Sequence, residues 1–206
     1  HIMFVRTHMN KTQKILISLF AIAFISCGRD YQLGKEDLNY IPYVGNEILI
    51  FKSDLNRMDT IFLQELRRFN GCYDPLSFSS DDCEGYETVT KITDPNYERY
   101  LEGKGLVSIV KSKDRKTYIN FDVAMKGSWF YGTEINPMDL NQFDSIAMKS
   151  MEIYSTKYND VKILKSDGRY SKRDNYVERI YWSVSEGFLG LDRRDEKWRL
   201  IKKYVP

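Results

Sequence analysis

From residue 47 onward, short apolar runs rich in β-branched and aromatic side chains follow one another between polar breaks, the pattern of strands. Such runs cover 47–51, 59–63, 87–92 and 106–110, and a longer one, 117–125, alternates across two faces. Val, Ile, Thr, Tyr and Phe dominate them, while Asn, Asp, Gly and Lys separate them, as expected of pleated segments joined by tight turns. The β signal returns at 151–156, 160–165, 177–184, 188–192 and 197–201. Between the two groups, 136–148 predicts one helix: Asn136 can cap it, Pro137 suits its first position, and Leu140, Phe143 and Ala147 recur at helical spacing. About ten short strands and one short helix predict a mainly β fold, a curved antiparallel sheet or lipocalin-like half-barrel.

Ahead of this body the pattern changes. Residues 28–40 are polar without a sustained period and predict a tether. Residues 15–25 form an apolar run interrupted only by Ser18, preceded by Lys11 and Lys14 and followed by the small Ser26. The run is too short for a bilayer span, which takes about 20 residues. Its basic, apolar, small succession is that of an export signal, with Met9 as the natural start and 1–8 as a non-native or upstream extension. Phe24-Ile25-Ser26-Cys27 resembles a lipobox, with Phe24 where Leu is usual. That resemblance implies acylation of Cys27 and cleavage before it. The expected organisation is signal peptide 1–26, lipid anchor and tether 27–40, and a single β-rich domain 41–206. Each buried acyl methylene contributes about 0.8 kcal/mol, so two or more chains hold such a protein at the cell envelope. The expected place is the outer membrane, facing the periplasm.

A second resemblance lies in the body. Tyr158-Asn159-Asp160-Val161, Ile180-Tyr181-Trp182-Ser183, Gly187-Phe188 and Trp198-Arg199-Leu200 resemble the C-terminal hairpins of small uncharacterised lipoproteins of Bacteroidota-type bacteria. Ile41-Pro42-Tyr43-Val44-Gly45-Asn46-Glu47, leading into the first strand, is similar too. The resemblance implies an exported β domain on a lipid anchor and brings no activity or functional residue with it.

Charge narrows the function. The chain carries 31 Lys plus Arg against 29 Asp plus Glu, and Arg6, Lys11 and Lys14 lie in the leader. The mature part is close to neutral, whereas a nucleic-acid binder draws affinity from a basic excess; that class is set aside. With Cys27 assigned to lipid, Cys72 and Cys83 remain as an even pair in a turn-rich stretch, and an oxidising compartment predicts a disulfide between them. Two buried thiols are the alternative.

Histidine decides what chemistry is open. Both histidines, His1 and His8, precede Met9, so the mature protein lacks the usual base of Ser and Cys hydrolases and the commonest transition-metal ligand. Asp81, Asp82, Glu84 and Glu87 form the densest acidic group, and a carboxylate pair there could serve glycoside hydrolysis. A solvated acidic face is the plainer reading, and the register of a calcium loop is absent. The basic runs 111–116 and 165–173 read as charged loops, and Gly103-Lys104-Gly105 lacks the frame of a phosphate loop. No cofactor and no metal site is indicated.

Aromatics supply the remaining candidates. Trp129, Phe130, Tyr131, Trp182 and Trp198 either fill the core of a curved sheet or line an apolar cavity or partner-facing patch. The expectation is a non-enzymatic, membrane-anchored binding module for an apolar ligand or a protein partner. A periplasmic immunity or inhibitor lipoprotein is the alternative, and a carboxylate-based hydrolase the third class.

Overall fold

Side-chain alternation decides which face of each strand is buried. In Ile48–Ser53 (β1), Leu49, Phe51 and Ser53 point inward while Ile48, Ile50 and Lys52 are half-buried on the outer face. The computed structural model describes residues 32–70, 83–91, 105–112, 116–125, 128–129, 138–168, 171–174 and 176–206. After β1 come Met58–Asn70 (β2), Cys83–Lys91 (β3), Gly105–Ser112 (β4), Thr117–Phe121 (β5), Ala124–Met125 (β6), Ser128–Trp129 (β7) and Met138–Asp139 (β8). The second group is Lys149–Ile153 (β9), Thr156–Lys165 (β10), Val177–Ser183 (β11), Gly187–Arg193 (β12) and Lys197–Tyr204 (β13). Two short helices, Lys35–Leu38 (α1) and Leu140–Ser145 (α2), complete the described elements.

Eleven strands make one antiparallel sheet in the order β8-β5-β4-β3-β2-β1-β13-β12-β11-β10-β9, curled into a half-barrel, while β6 and β7 pair by themselves. The chain begins this sheet in its middle and meanders from β1 to the edge strand β8. Through α2 it reaches the opposite edge, β9, and it meanders back until β13 lies against β1. Rings fill the inner face. Trp182 meets Phe121 at 4.9 Å and Tyr43 at 6.0 Å, and Phe51 meets Phe188 at 5.0 Å. Trp182, Trp198, Phe51 and Phe188 have no exposed surface, and burial of each such side chain stabilises by roughly 1.5–3 kcal/mol.

Three expectations change. The helix predicted over 136–148 is shorter and starts later, because Met138 and Asp139 first pair with β5 as a strand. Asp139 then caps it: its Oδ1 accepts from Asn141 N at 2.8 Å, and its own N–H donates to Gln142 Oε1 at 3.2 Å. Asn136 and Pro137 lie outside the described residues. A second helix, α1, occupies part of the stretch read as a tether, and residues 32–40 dock on the sheet instead of trailing from it. Leu33 packs against the core with its N–H donated to Glu84 Oε2 at 2.8 Å, and Asp37 is buried. The strand expected at 151–156 breaks at Tyr154 and Ser155. Both adopt positive φ, 46° and 70°, and form the two-residue turn that reverses β9 into β10.

Candidate functional site

Helix α2 lies in the chain between the two sheet edges, β8 and β9. Strand β8 is only two residues long, and α2 follows it directly, placing Leu140 and Phe143 into the core. The Phe143 ring packs 5.9 Å from Phe121 and 6.0 Å from Tyr40. From the opposite side Lys162 of β10 reaches the C-terminal end of α2. Its Nζ donates to the carbonyls of Phe143, Asp144 and Ile146 at 2.8, 3.1 and 2.9 Å and lies 4.8 Å from the Phe143 ring centre. Lys162 is 1% exposed, and burial pulls its pKa below the ordinary lysine value while the Asp144 charge opposes that shift. Cations at a helix C-terminus match the orphaned carbonyls there.

Beside α2 lies a recess of about 540 Å³ lined by Glu36, Asp37, Tyr40, Thr117, Asp139 and Asp144, among others. Three local devices hold its walls. The Tyr40 hydroxyl donates to Asp144 Oδ2 at 2.6 Å; that hydrogen bond, with burial and the Asp144 and Asp37 charges, pushes the Tyr40 pKa up to about 12. Asp37 Oδ2 accepts from Gly34 N at 2.8 Å, and its Oδ1 accepts from the Thr117 hydroxyl at 3.3 Å. Lys111 Nζ stands 3.7 Å from Asp37. Glu36 is exposed at the rim. The arrangement can receive a polar or positively charged group.

The structure separates most of the residues singled out in the sequence. Trp182 and Trp198 belong to the packed core, so neither offers a partner-facing surface. Trp129 stands in β7, and Phe130 and Tyr131 lie outside the described residues. Of the acidic group, Asp81 and Asp82 lie outside the described residues, while Glu84 and Glu87 fall on opposite faces of β3. Glu84 pairs with Arg68 and Glu87 with Arg67, so these two acids do not share a cleft. Cys83 is buried at the head of β3, and Cys72 and Cys27 lie outside the described residues. Among the described residues, no group of three or more His, Cys, Asp or Glu side chains is placed to hold a metal ion, and no helix is long and apolar enough to cross a membrane. Sequence reasoning missed the recess because its acids come from positions 36, 37, 139 and 144, which only the closing of the sheet brings together.

No family model, curated protein or solved structure matches the chain.

Proposed function

We propose that the protein is an exported lipoprotein, anchored through Cys27, that works as a non-enzymatic binding module for a protein partner presenting a positively charged side chain. One observation carries the choice of a protein partner over an apolar ligand. The rings of Trp182, Phe121, Tyr43, Phe51 and Phe188 occupy the interior in mutual contact, whereas the open recess beside α2 is walled by four carboxylates. An apolar ligand needs an apolar chamber. A cationic side chain needs the recess.

The test uses the lipoprotein purified in detergent, titrated with an arginine-rich hexapeptide, an acidic control peptide and a long-chain fatty acid. Saturable binding of the basic peptide, weakened by salt and by Glu36→Gln, supports the reading. Retention of fatty acid without peptide binding would replace it with the apolar-carrier reading, and turnover in a hydrolase panel with the carboxylate-enzyme reading. For the anchor, Cys27→Ser should abolish labelling by radioactive palmitate; equal labelling of the variant removes it. Cys72 and Cys83 are proposed to be bridged, which stabilises by about 3 kcal/mol in the chain-entropy model. Two freely alkylated thiols in the native protein would refute the bridge.

A further inference from the structure

The outer face of β2, β1 and β13 brings exposed apolar side chains and cations together. Cross-strand register places Phe62, Ile48 and Tyr204 in one outward row, Thr60, Ile50 and Lys202 in the next, and Met58, Lys52 and Arg199 in the third. A β-bulge between Ile50 and Phe51 pushes Ile201 out beside them. Met58 is 46% exposed, Ile201 41% and Tyr204 36%, and Val205 continues the apolar edge. A shallow recess of about 420 Å³ next to Ile48, Phe62 and Pro206 extends it.

Cations are set among these apolar groups. Lys52, Lys202 and Arg199 share the face, and no carboxylate occupies an outward position in the three rows. Arg199 is engaged by Asp192 of β12 at 2.7 Å, and Lys202 lies 4.6 Å over the Tyr204 ring. Long lysine stems lying along apolar surface with their ammonium groups outward suit a boundary between hydrocarbon and anionic headgroups.

From this juxtaposition we infer that the β2–β1–β13 face rests on an anionic lipid surface, with Met58, Ile50, Ile201 and Tyr204 at the acyl boundary and Lys52 and Lys202 against lipid phosphates. Charge favours this occupant over a second copy of the chain. A two-fold contact would set Lys52 and Lys202 against the same cations of the other copy. The inference deepens the anchored-lipoprotein reading, since one acyl signal and one basic, apolar face together hold a protein more firmly than either alone.

The experiment places the full lipoprotein in vesicles of phosphatidylethanolamine with phosphatidylglycerol, or of phosphatidylcholine alone, each containing a diazirine-bearing phospholipid. Cross-links are then mapped by mass spectrometry. Labels concentrated on β1, β2 and β13 in the anionic vesicles, and falling about fivefold per cation removed in Lys52→Gln and Lys202→Gln, are expected. Labels spread evenly over the domain, or unchanged in the double variant, overturn the inference. So does protection of the face only by an added acidic protein. Failure of the anchor is read separately: a chain without palmitate that still co-sediments with anionic vesicles through the same face leaves the inference standing. A palmitoylated chain with no labels there leaves only the anchor.

Discussion

Lys162 of β10, the strand beside the edge strand β9, donates from Nζ to the Phe143 carbonyl at 2.8 Å, joining that side of the half-barrel to the helix that starts from the opposite edge. Two further carbonyls share the same ammonium, so one buried cation satisfies the end of α2. Lys162→Met keeps most of the stem and removes the charge. It should lower stability by about 2–4 kcal/mol, since buried acceptors lose their donor. Urea denaturation measures this, and faster amide exchange over 138–148 locates it; a loss below about 0.5 kcal/mol would mean that α2 is held by Leu140 and Phe143 alone.

Arg57 and Glu196 form a second clip, between the β1–β2 turn and the β12–β13 turn. Arg57 Nε donates to Glu196 Oε1 at 2.7 Å and its Nη2 to Oε2, and the Glu196 side chain is fully buried. Burial alone would raise the Glu196 carboxyl, but the hydrogen bonds and charge of Arg57, with other donors, outweigh it and hold the pKa below the ordinary value. A carboxyl lowered in the fold stabilises above its unfolded pKa, and that stability is lost as pH falls through the folded value. Arg57→Met should cost about 2 kcal/mol at pH 7, because the guanidinium is half-exposed while the acid it leaves behind is not. The deficit should shrink below about pH 5, where the orphaned carboxyl takes a proton. A pH-independent deficit in denaturant titrations would count against a charge-based clip.

Gly187 opens β12 with φ at +88°, and a Cβ there would lie 2.2 Å from the Tyr43 hydroxyl. That hydroxyl accepts the Phe188 N–H at 2.7 Å in the core. Gly187→Ala combines a left-handed backbone with a collision and should destabilise by about 2–4 kcal/mol. Tyr43→Phe should cost about 1–3 kcal/mol by leaving one buried donor unpaired. Thermal unfolding of both variants ranks them, and Gly187→Ala being the milder would contradict the packing described.

Asp160 accepts from the Ser183 hydroxyl and the Ser185 N–H, both at 2.8 Å. Burial raises its carboxyl, yet the hydrogen bonds from Ser185 and Ser183 prevail and leave the pKa below its ordinary value. The contribution is therefore present at neutral pH and disappears as pH falls below about 4. Asp160→Asn should flatten the acid limb of stability relative to the parent chain. Identical acid limbs in the two proteins would rule out this carboxylate as a source of acid sensitivity.

Strand positions were legible because alternation survives folding. Ile119, Phe121, Val123 and Met125 are inward where the alternation of 117–125 puts them, whereas 48–51 is apolar throughout and its inward pair, Leu49 and Phe51, shows only in the fold. The turn at Tyr154 and Ser155 was not, since neither residue is Gly or Asn and nothing local advertises positive φ. Helix α2 carried its signal in Asp139 and Gln142, which the Asn136-Pro137 pair masked. The four-residue α1 is too short to show a period. Lys162 is hidden for a different reason: only the carbonyls at the end of α2, folded back against β10 from the far side of β9 in the chain, make a buried lysine tolerable. The recess shares that origin.

The ring-like route of the chain sets an order of folding. Nearly every strand pairs with a sequence neighbour, so the β1–β5 and β9–β13 meanders can form from hairpins within their own stretches. The pairing of β1 with β13, with Ile48 opposite Tyr204, is the long-range step that joins them. Until β13 arrives, β1 keeps a bare edge of unpaired amides and carbonyls in what will be the centre of the sheet. A chain emerging N-terminus first holds that edge open throughout its synthesis or export. The two halves wait on their final strand, and the slow phase of folding should follow changes at the β1–β13 junction more closely than changes in either hairpin array.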